Sequence, residues 1–242
     1  MVPPGKTLGE VTHVELLEKE NADAIATIWR DYHEGKSGRI GLKVEPEAYR
    51  LLEKRSEQCP IFVMPIHKSP GRFLSLVMQA KLPYVSFTAI DDFRKLQEAA
   101  TPMMVAAHYP ELIDSKGLAL VQAAHVDATT AGAAEHLTGQ EAVRLVRLCH
   151  IFYGDDELYE KFVKPFNHKQ KDFDFDGLVA EGATDHAGML ALGDGLAVRP
   201  RIARRRCRQV AAGTFVFLVM IKEPILHLSL AFEWALDDAK RA

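Results

Sequence analysis

Between Cys59 and Asp91 the chain carries three short apolar runs, Ile61 to Ile66, Phe73 to Gln79 and Tyr84 to Ile90, broken at Ser69-Pro70-Gly71 and Lys81-Leu82-Pro83. Runs of strand length bounded by Pro and Gly predict a three-strand antiparallel meander. A period of two sorts its residues: Leu74, Leu76 and Met78 alternate with Phe73, Ser75, Val77 and Gln79, and Val85, Phe87 and Ala89 with Tyr84, Ser86 and Thr88. The first set is core; the second mixes aromatic, aliphatic and hydroxyl groups, as solvated sheet faces and contact surfaces both do.

Helical spacing appears on both sides of the meander. Asn21 is placed to cap a helix whose Ile25, Ile28, Trp29 and Tyr32 recur at i, i+3, i+4 and i+7 and which ends at Gly35. Arg39 to Val44 reads as a strand, and Pro46 opens a helix with Ala48, Tyr49, Leu51 and Leu52 inward, stopped by Gln58-Cys59-Pro60. After the meander come a short helix from Asp91 to Ala100, a strand from Met103 to His108, a helical turn before Gly117 and a strand from Leu118 to Val126. Thr138 then caps a helix with a stripe of Ala142, Leu145, Val146, Cys149 and Phe152, with Arg144 and Arg147 facing away. Asp155 to Phe166 adds a helix. Asn167 to Asp176 alternates charge with Phe173 and Phe175 and predicts an edge strand or a docked extension with both rings anchored.

Strands joined by hairpin-length links and interspersed with helices predict an α+β fold, a mainly antiparallel sheet flanked by helices in a single domain. The pattern changes at residue 183. Six arginines fall between Arg199 and Arg208, followed by an apolar run from Val210 to Ile221. This tail, 183–242, reads as poorly ordered or as an artefact of gene modelling, because Thr214 to Ile221 is an aggregation-prone window. The competing reading is a basic nucleic-acid or lipid patch.

Charge and cysteines narrow the function classes. The tail holds nine of the 30 basic and six of the 33 acidic residues, leaving the body acidic by six charges. An acidic body argues against non-specific nucleic-acid binding, so no nucleic-acid partner is expected. Cys59, Cys149 and Cys207 lack metal or disulfide spacing, which fits a reducing compartment. The longest apolar run falls short of a membrane span, and Met1 to Glu10 lacks the Arg-rich character of an organelle presequence.

The chemistry-bearing residues form no recognisable catalytic motif, and neither catalytic residues nor a metal or cofactor is expected. Gly35-Lys36-Ser37 resembles the end of a phosphate loop, but Arg30 stands where its first glycine belongs. His67, His108, His125, His136 and His150 lack metal-ligand spacing, and Ser37 and Ser86 lack a nucleophile elbow. Asp172, Asp174 and Asp176 lack the glycine and terminal glutamate of a calcium loop. A small-molecule enzyme would need a deep pocket around Cys59, His67 or His108.

Six segments in order carry a resemblance: IWRDYH (Ile28 to His33), SEQCPIFVMPI (Ser56 to Ile66), the strand pair that follows, FTAIDDF (Phe87 to Phe93), HYPEL (His108 to Leu112) and LCHIFYG (Leu148 to Gly154). Together, over residues 6–182, they resemble the mitochondrial ATP synthase assembly chaperones of the Atp11 type. The resemblance implies a chaperone rather than an enzyme. It would be a monomer in the mitochondrial matrix that binds the unassembled beta subunit until the alpha subunit replaces it, without a cofactor. A holding protein needs a mixed-polarity surface with a few aromatic anchors. The candidates are Phe73, Val77, Tyr84 and Thr88 on the sheet face, with Phe173 and Phe175 on the later extension. The competing reading has helices covering that face and binding through other surfaces.

Overall fold

The computed structural model describes residues 6–34, 36–69, 71–126, 136–183 and 195–196. Its elements run α1 (Leu8–Val11), α2 (Val14–Leu17), α3 (Ala22–Glu34), β1 (Arg39–Val44), α4 (Pro46–Gln58), β2 (Ile61–Ser69), β3 (Arg72–Lys81), β4 (Tyr84–Ala89) and α5 (Ile90–Leu96). There follow β5 (Met104–Tyr109), α6 (Ile113–Lys116), β6 (Ala119–His125) and α7 (Gly139–Gly154). A helical stretch comprises α8 (Asp156–Leu158), a π-helical turn (Tyr159–Val163) and α9 (Lys164–His168), and α10 (Phe175–Ala183) and β7 (Gly195–Leu196) complete the chain described.

Six strands form one antiparallel sheet in the order β2-β3-β4-β5-β6-β1. The expected meander is β2-β3-β4, paired through Val63↔Val77↔Thr88. At the far edge β7 pairs with β1 in parallel, Lys43 with Gly195 and Val44 with Leu196. The α+β expectation therefore holds. The tail beyond Ala183 lies outside the described residues, apart from those two.

The inner sheet face carries the larger core. Phe62, Met64, Leu76, Met78, Phe87 and Val121 are buried in one cluster with residues of α4 and α7. The α7 stripe of Ala142, Leu145, Val146, Cys149 and Phe152 is buried as its spacing predicts. Thr138 Oγ1 accepts from Glu141 N at 3.2 Å, and Glu141 Oε2 accepts from Thr138 N at 2.8 Å, a reciprocal cap. Lys68 at the end of β2 donates to that carboxylate at 2.8 Å, tying strand to helix.

A second cluster on the outer face joins α1, α2 and α3 to β5 and β6. Asn21 caps α3, its side-chain oxygen accepting from Ala24 N at 2.9 Å. The inward face of α3, however, is Ile25, Ala26, Trp29 and His33, whereas Ile28 and Tyr32 are 47% and 52% exposed. The helix is rotated because Trp29 is pinned, its indole donating to the Val121 carbonyl at 2.8 Å. Gly41 permits this approach, since a Cβ there would sit within 2.9 Å of both His33 and Trp29. On α4 the inward residues are Ala48, Tyr49, Leu52 and Ser56, with Leu51 half-buried.

The expected edge strand from Asn167 to Asp176 is not formed. Those residues complete α9, make a 3-10 turn (Gln170–Asp172) and enter α10. Asp174 caps α10, accepting from Gly177 N at 2.8 Å, so the alternation that reads as a strand is a helix entrance. The docked-extension alternative describes it better: Phe173 and Phe175 are half-buried and pack on the main cluster.

Candidate partner-binding surfaces

The structure divides the expected sheet-face residues. Phe73, Val77, Tyr84 and Thr88 do share one face, since Val77 pairs with Thr88 and Lys81 with Tyr84. Val77 and Thr88 are only 4% and 2% exposed, because α5 lies against β3 and β4 on the short link between β4 and β5. They are withdrawn from any contact surface. Phe73 is 42% exposed and Tyr84 half-buried. Phe73 lies 6.1 Å from Phe175, which lies 6.4 Å from Phe173, so three of the six candidates form one aromatic patch where α10 meets the β2-β3 hairpin. Tyr84 stands apart, at the other end of β3.

Cys59 is buried, accepts from the Tyr159 hydroxyl at 3.2 Å and lies 3.5 Å from His168 Nε2. Burial pushes its thiol pKa up, which opposes the thiolate that nucleophilic chemistry requires. Burial likewise pushes Cys149 up to about 12. His67 is at the surface, with Nε2 3.2 Å from the Val179 carbonyl.

His108 and His150 meet in the core, Nε2 to Nε2 at 3.2 Å. His108 Nδ1 lies 3.3 Å from the Pro83 carbonyl, a geometry in which Nδ1 carries the proton and Nε2 accepts from His150. Burial lowers their pKa values to about 4 for His108 and about 3 for His150, where proximity of His108 adds to the effect. Both rings are therefore neutral at physiological pH. No spacing rule joins positions 42 residues apart, so sequence reasoning left this pair as scattered histidines.

The other resemblance-bearing segments also meet as architecture. The Glu111 carboxylate accepts from Leu8 N at 2.7 Å at the start of α1, the Tyr153 hydroxyl donates to the Cys59 carbonyl at 2.7 Å, and Trp29 stacks edge-on with Tyr109. These residues hold α1, α3, β2, β5 and α7 together.

Sequence reasoning missed one surface entirely. A cavity of about 710 Å³ runs beside β1 between α3 and the first turns of α7. Among the described residues, Arg30, Arg39, Lys43, Arg144 and Arg147 line it with Glu34 and Glu141. Lys43 is already paired with Asp23 at 3.6 Å and Glu45 at 3.3 Å, and Arg144 donates to the Gly182 carbonyl at 2.7 Å. Arg39 and Arg147 have no carboxylate partner among the described residues. The expected outward direction of Arg144 and Arg147 was the available signal; the approach of α3 that completes the groove was not visible in it.

Comparison with known proteins adds a family. Residues 2–179 match the model of the ATP11 protein family. Relatives called ATP synthase mitochondrial F1 complex assembly factor 1 are 29% identical over 178 residues in Mus musculus, covering 73% of this chain and 52% of the relative. The Homo sapiens relative is 28% identical, covering 73% and 51%, and that of Danio rerio 24% identical, covering 73% and 56%. The chain thus spans about half the length of the curated relatives it matches.

Proposed function

The chain belongs to the ATP11 protein family, and from that premise we propose that it is an assembly chaperone for the catalytic sector of the mitochondrial ATP synthase. Residues 6–182 form its working domain, acting in the matrix. It binds the unassembled beta subunit and keeps it from aggregating until the alpha subunit takes its place. The observation that carries this reading is the family match over nearly all of the described body, joined to relatives named for F1 assembly.

The physical character of the surface supports a binding role rather than catalysis. Cys59, His108 and His150 are committed to packing and hydrogen bonds, whereas Phe73, with Phe175 and Phe173 beside it, offers a small aromatic patch. Aromatic anchors of this kind dominate contact energetics. Release requires only that the native subunit interface be more favourable than the chaperone complex, which mass action then drives without nucleotide.

The test is light scattering by isolated beta subunit with and without the full chain. Suppression near an equimolar ratio is expected; undiminished scattering defeats the proposal. Phe73→Asp should weaken protection more than Tyr84→Asp, which lies outside the aromatic patch.

A further inference from the structure

The groove beside β1 has the features of a strand-acceptor site. In the sheet order β1 is the last of the six antiparallel strands, and among the described residues its outer side meets only Gly195–Leu196, at Lys43 and Val44. Arg39 to Leu42 carry no partner strand there among those residues. An edge of this kind presents a row of backbone N–H and C=O groups that another extended chain can pair with. At Lys43 and Val44 this side of β1 already pairs with a strand, Gly195–Leu196.

The two walls of the groove differ. On the α3 side the β1 residues are Arg39, Gly41 and Lys43, with Arg30 beside them. On the α7 side Ile40 and Leu42 pack on the main core and Val143 adds apolar surface, with Glu141, Arg144 and Arg147 also lining the groove. A strand laid along β1 would therefore turn alternate side chains toward the side of Arg39 and Lys43 and toward the side of Ile40 and Leu42. A surplus of cations in a concave site also attracts anionic chains during encounter.

We propose that the β1 groove binds an extended segment of a partner protein that alternates acidic with apolar residues, adding it as a strand along Arg39 to Leu42. This deepens the chaperone reading by assigning a docking site for the partner subunit, and it rests on that reading for the partner's identity. The segment's acidic side chains face Arg39 on the α3 side and its apolar ones meet Ile40, Leu42 and Val143. Arg147 adds to the attraction from the other wall, and the segment's backbone pairs with the part of β1 that meets no strand among the described residues.

Fluorescence anisotropy on the full chain tests this with a labelled peptide of about six residues alternating Glu and Val, the usual strand length. Saturable binding is expected, weakened roughly tenfold or more by Arg39→Glu combined with Arg147→Glu, and weaker as salt rises. The same peptide N-methylated on alternate residues, in the phase that presents its N–H groups to β1, should lose binding to a similar degree. Equal binding by both N-methylation phases and the parent peptide on the wild-type chain overturns the added strand, whatever the fate of the charge variant. A single-stranded oligonucleotide that displaces the peptide and binds more tightly makes the groove a nucleic-acid site and also overturns it. If the peptide fails while beta-subunit aggregation is still suppressed, the groove assignment falls and the chaperone reading stands; the reverse result separates them the other way.

Discussion

At the β2 edge of the sheet, Pro65 removes one backbone donor and α10 packs against the strand. The fit is close enough that a Cβ on Gly182 would sit 3.2 Å from the Pro65 ring. At the β1 edge a two-residue strand and a cationic groove stand in place of a packed helix, among the described residues. Both solutions address the tendency of an edge to pair with other chains. The first closes the edge with apolar burial; the second, among the described residues, flanks it with charge. The difference teaches two ways of managing an edge: the β2 edge is covered by a helix of the fold, and the β1 edge is the one proposed to receive a partner strand.

The largest effect is expected from opening the closed edge. Leu178 is the fully buried residue of α10, and truncating such a side chain removes burial energy and leaves a cavity. Leu178→Ala should destabilise the chain by about 3 kcal/mol, read as a lower urea midpoint, and should raise scattering as β2 becomes uncovered. An unchanged midpoint would show that α10 is not what closes this edge.

Between the edges, the buried histidine pair makes the sheet sensitive to acid. Both rings are neutral in the fold, with pKa values of about 4 and about 3 against an ordinary 6.5. Below that ordinary value the unfolded chain binds protons that the folded chain refuses, so their contribution is full above about pH 6.5 and is lost as pH falls toward 4. The loss should reach about 2 kcal/mol per histidine by pH 5. His150→Leu should roughly halve the slope of stability against pH over this window; an identical slope would show that the pair is not the titrating element.

At the β1 edge the backbone itself is less forgiving than its charges. Gly41→Ala places a Cβ 2.7 Å from His33 Nδ1 and 2.8 Å from the Trp29 carbonyl unless α3 moves off the sheet. A cost of about 2 kcal/mol is expected from such overpacking. Near-UV circular dichroism of Trp29 would register the displacement, and a neutral result would mean that α3 yields without cost.

The legibility of these features in the sequence follows the range of the physics behind them. The meander, the α7 stripe and the Thr138 and Asn21 caps were readable because each depends on neighbours within a few residues. The face of α3 was misjudged because a distant hydrogen bond from Trp29 to Val121 sets its rotation, and the Phe173/Phe175 alternation because Asp174 converts it to a helix entrance. The aromatic patch was half legible: Phe73, Phe173 and Phe175 converge, while α5 buries Val77 and Thr88. The groove was illegible because α7, which supplies Arg144 and Arg147, lies far along the chain from α3 and β1, which supply the other cations.

The smallest expected effect on stability is the most discriminating for the two edges. Arg39 is exposed, with no carboxylate partner among the described residues, so Arg39→Glu should change folding stability by no more than about 0.5 kcal/mol. If its charge served only to discourage unwanted pairing, a negative charge of the same size would guard the edge equally well and the variant would stay monomeric with partner capture intact. If the charge recruits an acidic strand, the variant keeps its urea midpoint and loses capture. Leu178→Ala, by contrast, should lose its midpoint first. Urea midpoints and partner capture measured on these two variants therefore separate an edge that is part of the fold from an edge that is part of the function, and equal losses on both would dissolve the distinction.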